Sequence, residues 1–334
     1  MVFLGFSRSC RVLALEAIMR KINKVAFLLV YAVLAACVSE QRSGLDTAQR
    51  PILHVAHRAT IQQDSGEDVV RHLTNRYADT AANCGTPSQP AFLCNGIMIR
   101  GTSNSPGAYH VWDNSPASIT RGGVSASYLR SDANFRKLAY GYNNGYILTA
   151  YFFAEGKLHP EVLCLFPVDA GTGSRTDRGC GEHPGTVGSR PCHLQNVTTA
   201  AQWWTHYTSQ PGNLHYAQCG FDVSNDQNNN AGPAFVAGLE AMSLMGSQAF
   251  VENNELVLAV WDSGLGKTLP LEAFFYLAGS AGLPVAQHNQ SDLINTDGVW
   301  IPVIKITLPT TAAGKVTFSY SADEQTPVRP PVQG

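Results

Sequence analysis

An arginine, two serines and two glutamates stand where apolar strands of this chain begin or end, and together these side chains could do chemistry. Ile99-Arg100-Gly101 sets a guanidinium at the end of an apolar strand. A guanidinium is planar and permanently charged, so it grips paired anionic oxygens such as those of a pyrophosphate bidentately, which an ammonium cannot match. Val124-Ser125-Ala126-Ser127 sets two hydroxyls on one face of a strand, because side chains alternate there with a period of two. Glu161-Val162-Leu163 opens a buried strand with a carboxylate, and Glu255-Leu256-Val257 opens a second one. A carboxylate held by hydroxyls beside an anion grip is suited to stabilising positive charge that develops in a transition state.

The elements that must position these groups are legible from periodicity. Ser65-Gly66-Glu67-Asp68 resembles a capping box, and Val69, Val70, Leu73, Tyr77 and Ala81 follow at helical spacing, which predicts a helix over about 66–82 ended by Cys84-Gly85. Strands are expected at 96–102, 124–129, 146–153 and 161–167, with a helix from Asp132 to Tyr140. Residues 168–195, dense in Gly, Ser, Thr and Arg, read as a loop stapled by cysteines. Helices are expected at 198–207 and 233–245, then strands at 255–261, 271–277, 299–308 and 314–320. The proline-rich residues from Ala322 read as a disordered tail. Strands and helices do not alternate regularly, so the expected class is α+β with a mixed or antiparallel sheet, not a doubly wound parallel one.

Met19-Arg20-Lys21-Ile22-Asn23-Lys24 is a basic start, Val25 to Ala36 an apolar core, and Leu34-Ala35-Ala36-Cys37 looks like a bacterial lipobox. This segment is too short to read as a spanning helix and reads as an export signal. Residues 1–36 are therefore expected to be an over-extended start plus signal, with Met19 the true start and Cys37 lipidated. Residues 37–64 would be a tether, 65–320 the folded domain and 321–334 the tail. The expected destination is the outer membrane, held by lipid, or the medium. The chain has 334 residues, is 44% hydrophobic and 14% charged, and carries a net charge of −2, which leaves no electrostatic footprint for nucleic acid.

Export sets the reading of the cysteines. Besides Cys10 and Cys37 there are six, and an even number in an oxidising compartment predicts three disulfides. Proximity in sequence favours Cys84–Cys94 and Cys180–Cys192, leaving Cys164–Cys219. A zinc site from Cys180-x-x-His183 and Cys192-His193 is the rival, but its spacing matches no standard finger, and no metal is expected. His110 with Trp112 and Asp113, and the pair His193 and His206, are read as polar loop or helix-face residues. Trp203-Trp204 and Phe274-Phe275-Tyr276 are read as core.

The order of the three pieces, an Arg-Gly strand, a Ser-x-Ser strand and a later Glu strand, resembles the ADP-ribosyltransferase toxin superfamily, in which they build an NAD site. Most of the chain downstream of Cys37 is similar to the halovibrins, secreted bacterial proteins of that superfamily described as NAD glycohydrolases. The blocks that carry this resemblance are Asn83-Cys84-Gly85, Pro90-Ala91-Phe92-Leu93-Cys94, Arg100-Gly101-Thr102, Gly122-Gly123-Val124-Ser125, Leu138-Ala139-Tyr140-Gly141-Tyr142, Ala201-Gln202-Trp203 and Trp300-Ile301-Pro302.

The resemblance implies a split sheet of ADP-ribosyltransferase type and cleavage of the nicotinamide–ribose bond, with NAD as substrate and no cofactor. Arg100 and Gly101 would hold the pyrophosphate, Ser125 would hold the catalytic glutamate with Ser127 behind it, and Tyr128, Tyr140 or Tyr142 would stack on nicotinamide. Glu161 is the preferred glutamate because it lies 36 residues after Ser125, with one helix and one strand between. Glu255 is the competitor; it would require the whole cysteine-stapled region as an insertion. Neither has the Glu-x-Glu or Gln-x-Glu of arginine-modifying transferases, since His159 and Asn253 stand two residues before them. That favours water as acceptor. Transfer of ADP-ribose to a host or competitor protein is the first alternative, and an inactive surface binding module the second.

Overall fold

A computed structural model describes residues 66–103, 109–148, 161–171, 179–181, 191–209, 218–224, 231–249, 253–260 and 271–327. The expected signal, Cys37 and the tether lie outside the described residues. In chain order the elements are helix α1 (66–78), strand β1 (Ile97–Gly101), helix α2 (Pro116–Arg121), strands β2 (Val124–Leu129), β3 (Asn144–Leu148) and β4 (Val162–Phe166), and helix α3 (Ala200–Ser209). There follow β5 (Phe221–Asp222), α4 (Ala231–Ala249), β6 (Glu255–Leu258), β7 (Leu271–Leu277), α5 (Leu283–Asp297), β8 (Val303–Thr307) and β9 (Thr317–Ser319). The expected α+β class holds. The described strands form one mixed sheet in the order β5-β4-β6-β2-β1-β3-β7-β8-β9, antiparallel throughout except for β7 with β8, which α5 connects as a parallel pair.

Alternation along the strands sorts the core onto two faces. Ile97 and Ile99 of β1, Ile147 of β3, Phe275 of β7 and Ile304 and Ile306 of β8 pack with Leu73 and Tyr77 of α1. Met98, Tyr128, Tyr146, Phe274 and Val303 point the other way, into a core with Trp203 of α3, Phe235 and Met242 of α4 and Leu293 of α5. Burying each such side chain contributes roughly 1.5–3 kcal/mol, so a register slip of one residue would expose both faces at once.

Local chemistry places α2 directly before β2. Ser115 caps the helix by accepting a hydrogen bond from the Ser118 amide at 3.0 Å, Pro116 occupies its first turn, and Gly122 ends it in the left-handed region at φ 76°. Nothing in the sequence pattern predicted α2. Nor was α5 predicted, because polar residues fill its buried stripe: Asn289 and Gln290 lie inside with Ala286 and Leu293. Gln290 reconciles this by donating to the Ile301 carbonyl at 2.7 Å and accepting from the Thr326 amide at 2.7 Å.

Three further expectations are corrected. The expected helix from Asp132 to Tyr140 is a run of turns ending in a short 3-10 turn, Ala139–Gly141. There the Asn134 side chain bonds the Ser131 and Gly314 carbonyls, offering the backbone a local alternative to helix. The segment after Ala322 packs up to residue 327, with the Gln325 side chain bonding both the amide and the carbonyl of Val303.

The disulfides are Cys84–Cys94, as expected, with Cys164–Cys180 and Cys192–Cys219 in place of Cys180–Cys192 and Cys164–Cys219. Distance along the chain misled because the partners are chosen by strand packing. Cys180 joins Cys164, Leu163, Phe166 and Val257 in one buried cluster. The Cys192 amide, meanwhile, bonds the Gly220 carbonyl at 2.7 Å beside Cys219. Three bridges fit an oxidising, extracellular compartment. Among the described residues no helix is long and apolar enough to cross a membrane.

Candidate active site

Strand β2 has two different neighbours at its two ends. β1 pairs with its last residues, Ile99↔Ser127 to Ile97↔Leu129, whereas β6 pairs with its first, Val124↔Leu258 to Ala126↔Leu256. Arg100 is the first residue of β1 beyond its ladder with β2, and its Nη1 donates to the carbonyl oxygen of Ser125. Glu255 is the first residue of β6 beyond the other ladder. Its Oε1 accepts a hydrogen bond from the Ser125 hydroxyl at 2.5 Å. Where β6 has left β2, the Asn254 side chain takes over the role of a paired backbone. It accepts from the Tyr128 amide and donates to the Tyr128 carbonyl, both at 2.7 Å. Ser125 thus holds both the guanidinium and the carboxylate, one through its carbonyl and one through its hydroxyl.

The loop that follows β4 folds back over Glu255. The Ala170 amide donates to Glu255 Oε2 at 3.1 Å, and the Asp169 amide donates to the Asn253 carbonyl at 2.9 Å. This brings the Asp169 carboxyl against that of Glu255, which is itself buried. Burial first, and the Glu255 charge second, push the Asp169 carboxyl up from 3.8 to about 6; the Gly171 amide, which donates to Asp169 Oδ1 at 3.0 Å, works in the opposite direction.

These groups border a cleft of about 490 Å³, within the range of small-molecule sites. Arg100, Ser125, Asp169 and Glu255 line it together with Tyr140 and Tyr142. The two tyrosine rings lie 5.6 Å apart, and Tyr140 is 86% exposed on a left-handed residue at φ 54°. Tyr142 sits against Gly101 so closely that a Cβ there would fall 2.7 Å from the tyrosine Cβ. Gly101 is needed for that approach, not for binding by itself.

The structure brings together Arg100, Gly101, Ser125, Ser127, Tyr140 and Tyr142, all expected at the site. It does not bring Glu161. That residue precedes β4, whose other end pairs Phe166 with Glu255, so the two glutamates stand at opposite ends of the β4–β6 pair, roughly 16 Å apart along the strand. Glu161 does not line the cleft. In the sheet β6 lies between β2 and β4, which puts Glu255 beside Ser125 although 130 residues separate them.

Tyr128 is also corrected. It is fully buried with its hydroxyl on the Asn95 carbonyl at 2.8 Å, and belongs to the core. Ser127 supports the site one step away, through a 3.4 Å contact with the Asn253 amide, and not through Glu255 directly. His110 stacks on Trp112 and bonds Asp292 of α5 at 2.6 Å. Cys180 and Cys192, two of the residues of the rival metal site, are in disulfides, and His183 lies outside the described residues. Among the described residues no cluster of three or more His, Cys, Asp or Glu side chains could hold a metal ion.

Asp169 was missed. Pro167-Val168-Asp169-Ala170-Gly171 reads as an ordinary turn, and its only sequence signal was the aspartate two residues before a glycine. The chain matches no protein-family model and shows no detectable similarity to any curated protein.

Proposed function

We propose that the protein is an exported NAD glycohydrolase built on the ADP-ribosyltransferase plan, as its halovibrin-like blocks imply, with Glu255 as the catalytic glutamate. The observation that carries this reading is the Ser125 hydroxyl on the Glu255 carboxylate, beside the guanidinium of Arg100, in one cleft. An Arg, a Ser and a Glu from three neighbouring strands are the set that the resemblance calls for.

The chemistry follows from the residues. Arg100 has five N–H donors in a fixed plane, and its bond to Ser125 sets that plane for a pyrophosphate. Tyr140 and Tyr142 offer aromatic faces to the nicotinamide ring at the mouth of the cleft. As the nicotinamide–ribose bond breaks, positive charge grows on the anomeric carbon, and a buried carboxylate fixed by Ser125 and the Ala170 amide stabilises it without reorganising. The acceptor is water. Asn253 stands two residues before Glu255, where arginine-modifying transferases carry Glu or Gln, and its amide is engaged with Ser127, Asp169 and the Asn254 carbonyl.

Nicotinamide release from NAD by the purified protein, followed together with transfer of labelled ADP-ribose to added protein, tests this. Release without labelling is the expected result. Release with labelling would make the protein a transferase acting on a host or competitor protein, and the absence of release would leave a binding module.

A further inference from the structure

Asp169 is a second carboxyl in the cleft, and the reaction proposed above needs a proton acceptor besides Glu255, which is given over to the sugar cation. Both Glu255 oxygens already accept hydrogen bonds, one from the Ser125 hydroxyl and one from the Ala170 amide. Attack by water requires that a proton leave it as its oxygen bonds to carbon. Asp169 lines the same cleft, and the Asn253 amide makes a long 3.5 Å contact with its Oδ2. Its backbone is fixed by bonds from its own amide to the Asn253 carbonyl and from the Gly171 amide to its side chain. The residue follows the strand that carries Cys164, whose disulfide to Cys180 lies in a buried cluster with Ala170.

We infer that Asp169 is the general base of the hydrolysis, taking the proton of the attacking water while the neighbouring Glu255 stabilises the sugar cation. In this step the water oxygen bonds to the anomeric carbon of the nicotinamide ribose and its proton passes to the Asp169 carboxylate. The bond from that carbon to the nicotinamide nitrogen breaks, and its electron pair neutralises the pyridinium. The products are ADP-ribose, neutral nicotinamide and one proton, which Asp169 returns to solvent. A base is most effective when its pKa lies near the working pH, and burial beside Glu255 puts this carboxyl at about 6, in reach of that optimum. Glu255 on β6 and Tyr140 in the turn before β3 interact electrostatically with it, and Arg100 on β1, Arg121 at the end of α2, Asp113, Tyr109 and Tyr142 are further ionisable groups that line the same cleft. The division of labour replaces the second acidic or amide residue that transferases carry on the glutamate strand with one supplied from the loop after β4.

This inference rests on the hydrolase reading, and the experiment separates the two. In the purified full chain, Asp169→Asn keeps the shape and removes the base. Turnover of NAD should fall by about 10²–10³-fold with KM nearly unchanged. Sodium azide, an anion with no proton to lose, should restore nicotinamide release in the variant and yield the ADP-ribosyl azide. Wild-type kcat should climb through an acidic limb near pH 6. Turnover of Asp169→Asn within about threefold of wild type overturns the inference, as does a loss of activity that azide does not relieve in a variant that still binds NAD. If the variant does not fold, the wild-type profile decides, and a kcat that is flat between about pH 5 and 8 overturns it. A wild-type protein that releases no nicotinamide removes the hydrolase reading itself.

Discussion

The two wings of the sheet that meet at β2 are held by different means, and each brings one half of the site. On one side β1, β3, β7 and β8 are five to seven residues long, join in ladders of four or five residue pairs with one irregularity at Ile147/Leu148, and alternate between two apolar faces. On the other side β5 has two residues and β6 has four, and two disulfides lie beside them, one from Cys164 in β4 and one from Cys219 just before β5. The laddered wing carries the guanidinium of Arg100, and the stapled wing carries both carboxyls, Glu255 and Asp169. A strand of two residues cannot hold its place by backbone pairing alone. The cross-links supply order where ladders are short, and that is where like charges are forced together.

This contrast can be broken most decisively at the glutamates. Glu255→Gln should lower turnover by roughly 10²–10³, the loss of one transition-state electrostatic partner, with NAD binding little changed. Glu161→Gln should stay within a few-fold of wild type. Steady-state release of nicotinamide from the two variants decides between them, and a dead Glu161→Gln beside an active Glu255→Gln would return the site to the other end of β4.

Next in size is the staple. Replacing Cys192 and Cys219 together by Ala opens a loop of 27 residues and should cost about 3–4 kcal/mol of stability, read from denaturant midpoints. An unchanged midpoint would mean that the short strands hold themselves. On the laddered wing, Arg100→Lys should weaken NAD binding by about tenfold while leaving the melting temperature near that of wild type, because an ammonium keeps the charge and loses the fork. Equal affinity in a binding titration would remove Arg100 from the pyrophosphate.

The smallest effect is on stability against pH. The Asp169 carboxyl is raised from 3.8 to about 6 in the folded protein, so the folded state holds this proton where the unfolded chain has lost it. Its stabilising contribution is therefore full below about pH 4 and is lost as pH rises through about 6. After allowance for solvent screening the loss is on the order of 1–2 kcal/mol. Asp169→Asn should match wild type at about pH 4 and exceed it by that amount at pH 7, a stabilisation at the expense of activity. Equal pH dependence of the two unfolding midpoints would show that Asp169 is not strained in this way.

Much of the laddered wing could be read directly. β7 spans Leu271–Leu277, as its run of aromatic and aliphatic residues predicts, and β1 and β2 lie where Arg100 and the two serines were expected. Helix α5 could not be read, because Asn289 and Gln290 occupy its inner face and hide the apolar period. The turns at 132–138 misled in the opposite way: Ala133, Phe135 and Leu138 are apolar and buried, but side-chain bonds from Asn134 hold them in place without a helix.

From sequence alone came the residue types of the site and the faces they occupy, since a strand's period of two fixes which side chains share a face whatever lies beside it. Ser125 and Ser127 were visible in this way, Arg100 and the competing Glu255 as charges at strand ends, and the six cysteines as an even number. Only the tertiary structure decided which glutamate meets Ser125, which cysteines pair and that Asp169 matters. Those facts depend on strand order, with β6 entering between β2 and β4 after an excursion of more than a hundred residues. Strand order is set by the burial of whole faces against one another, a property of the packed sheet that no local spacing encodes.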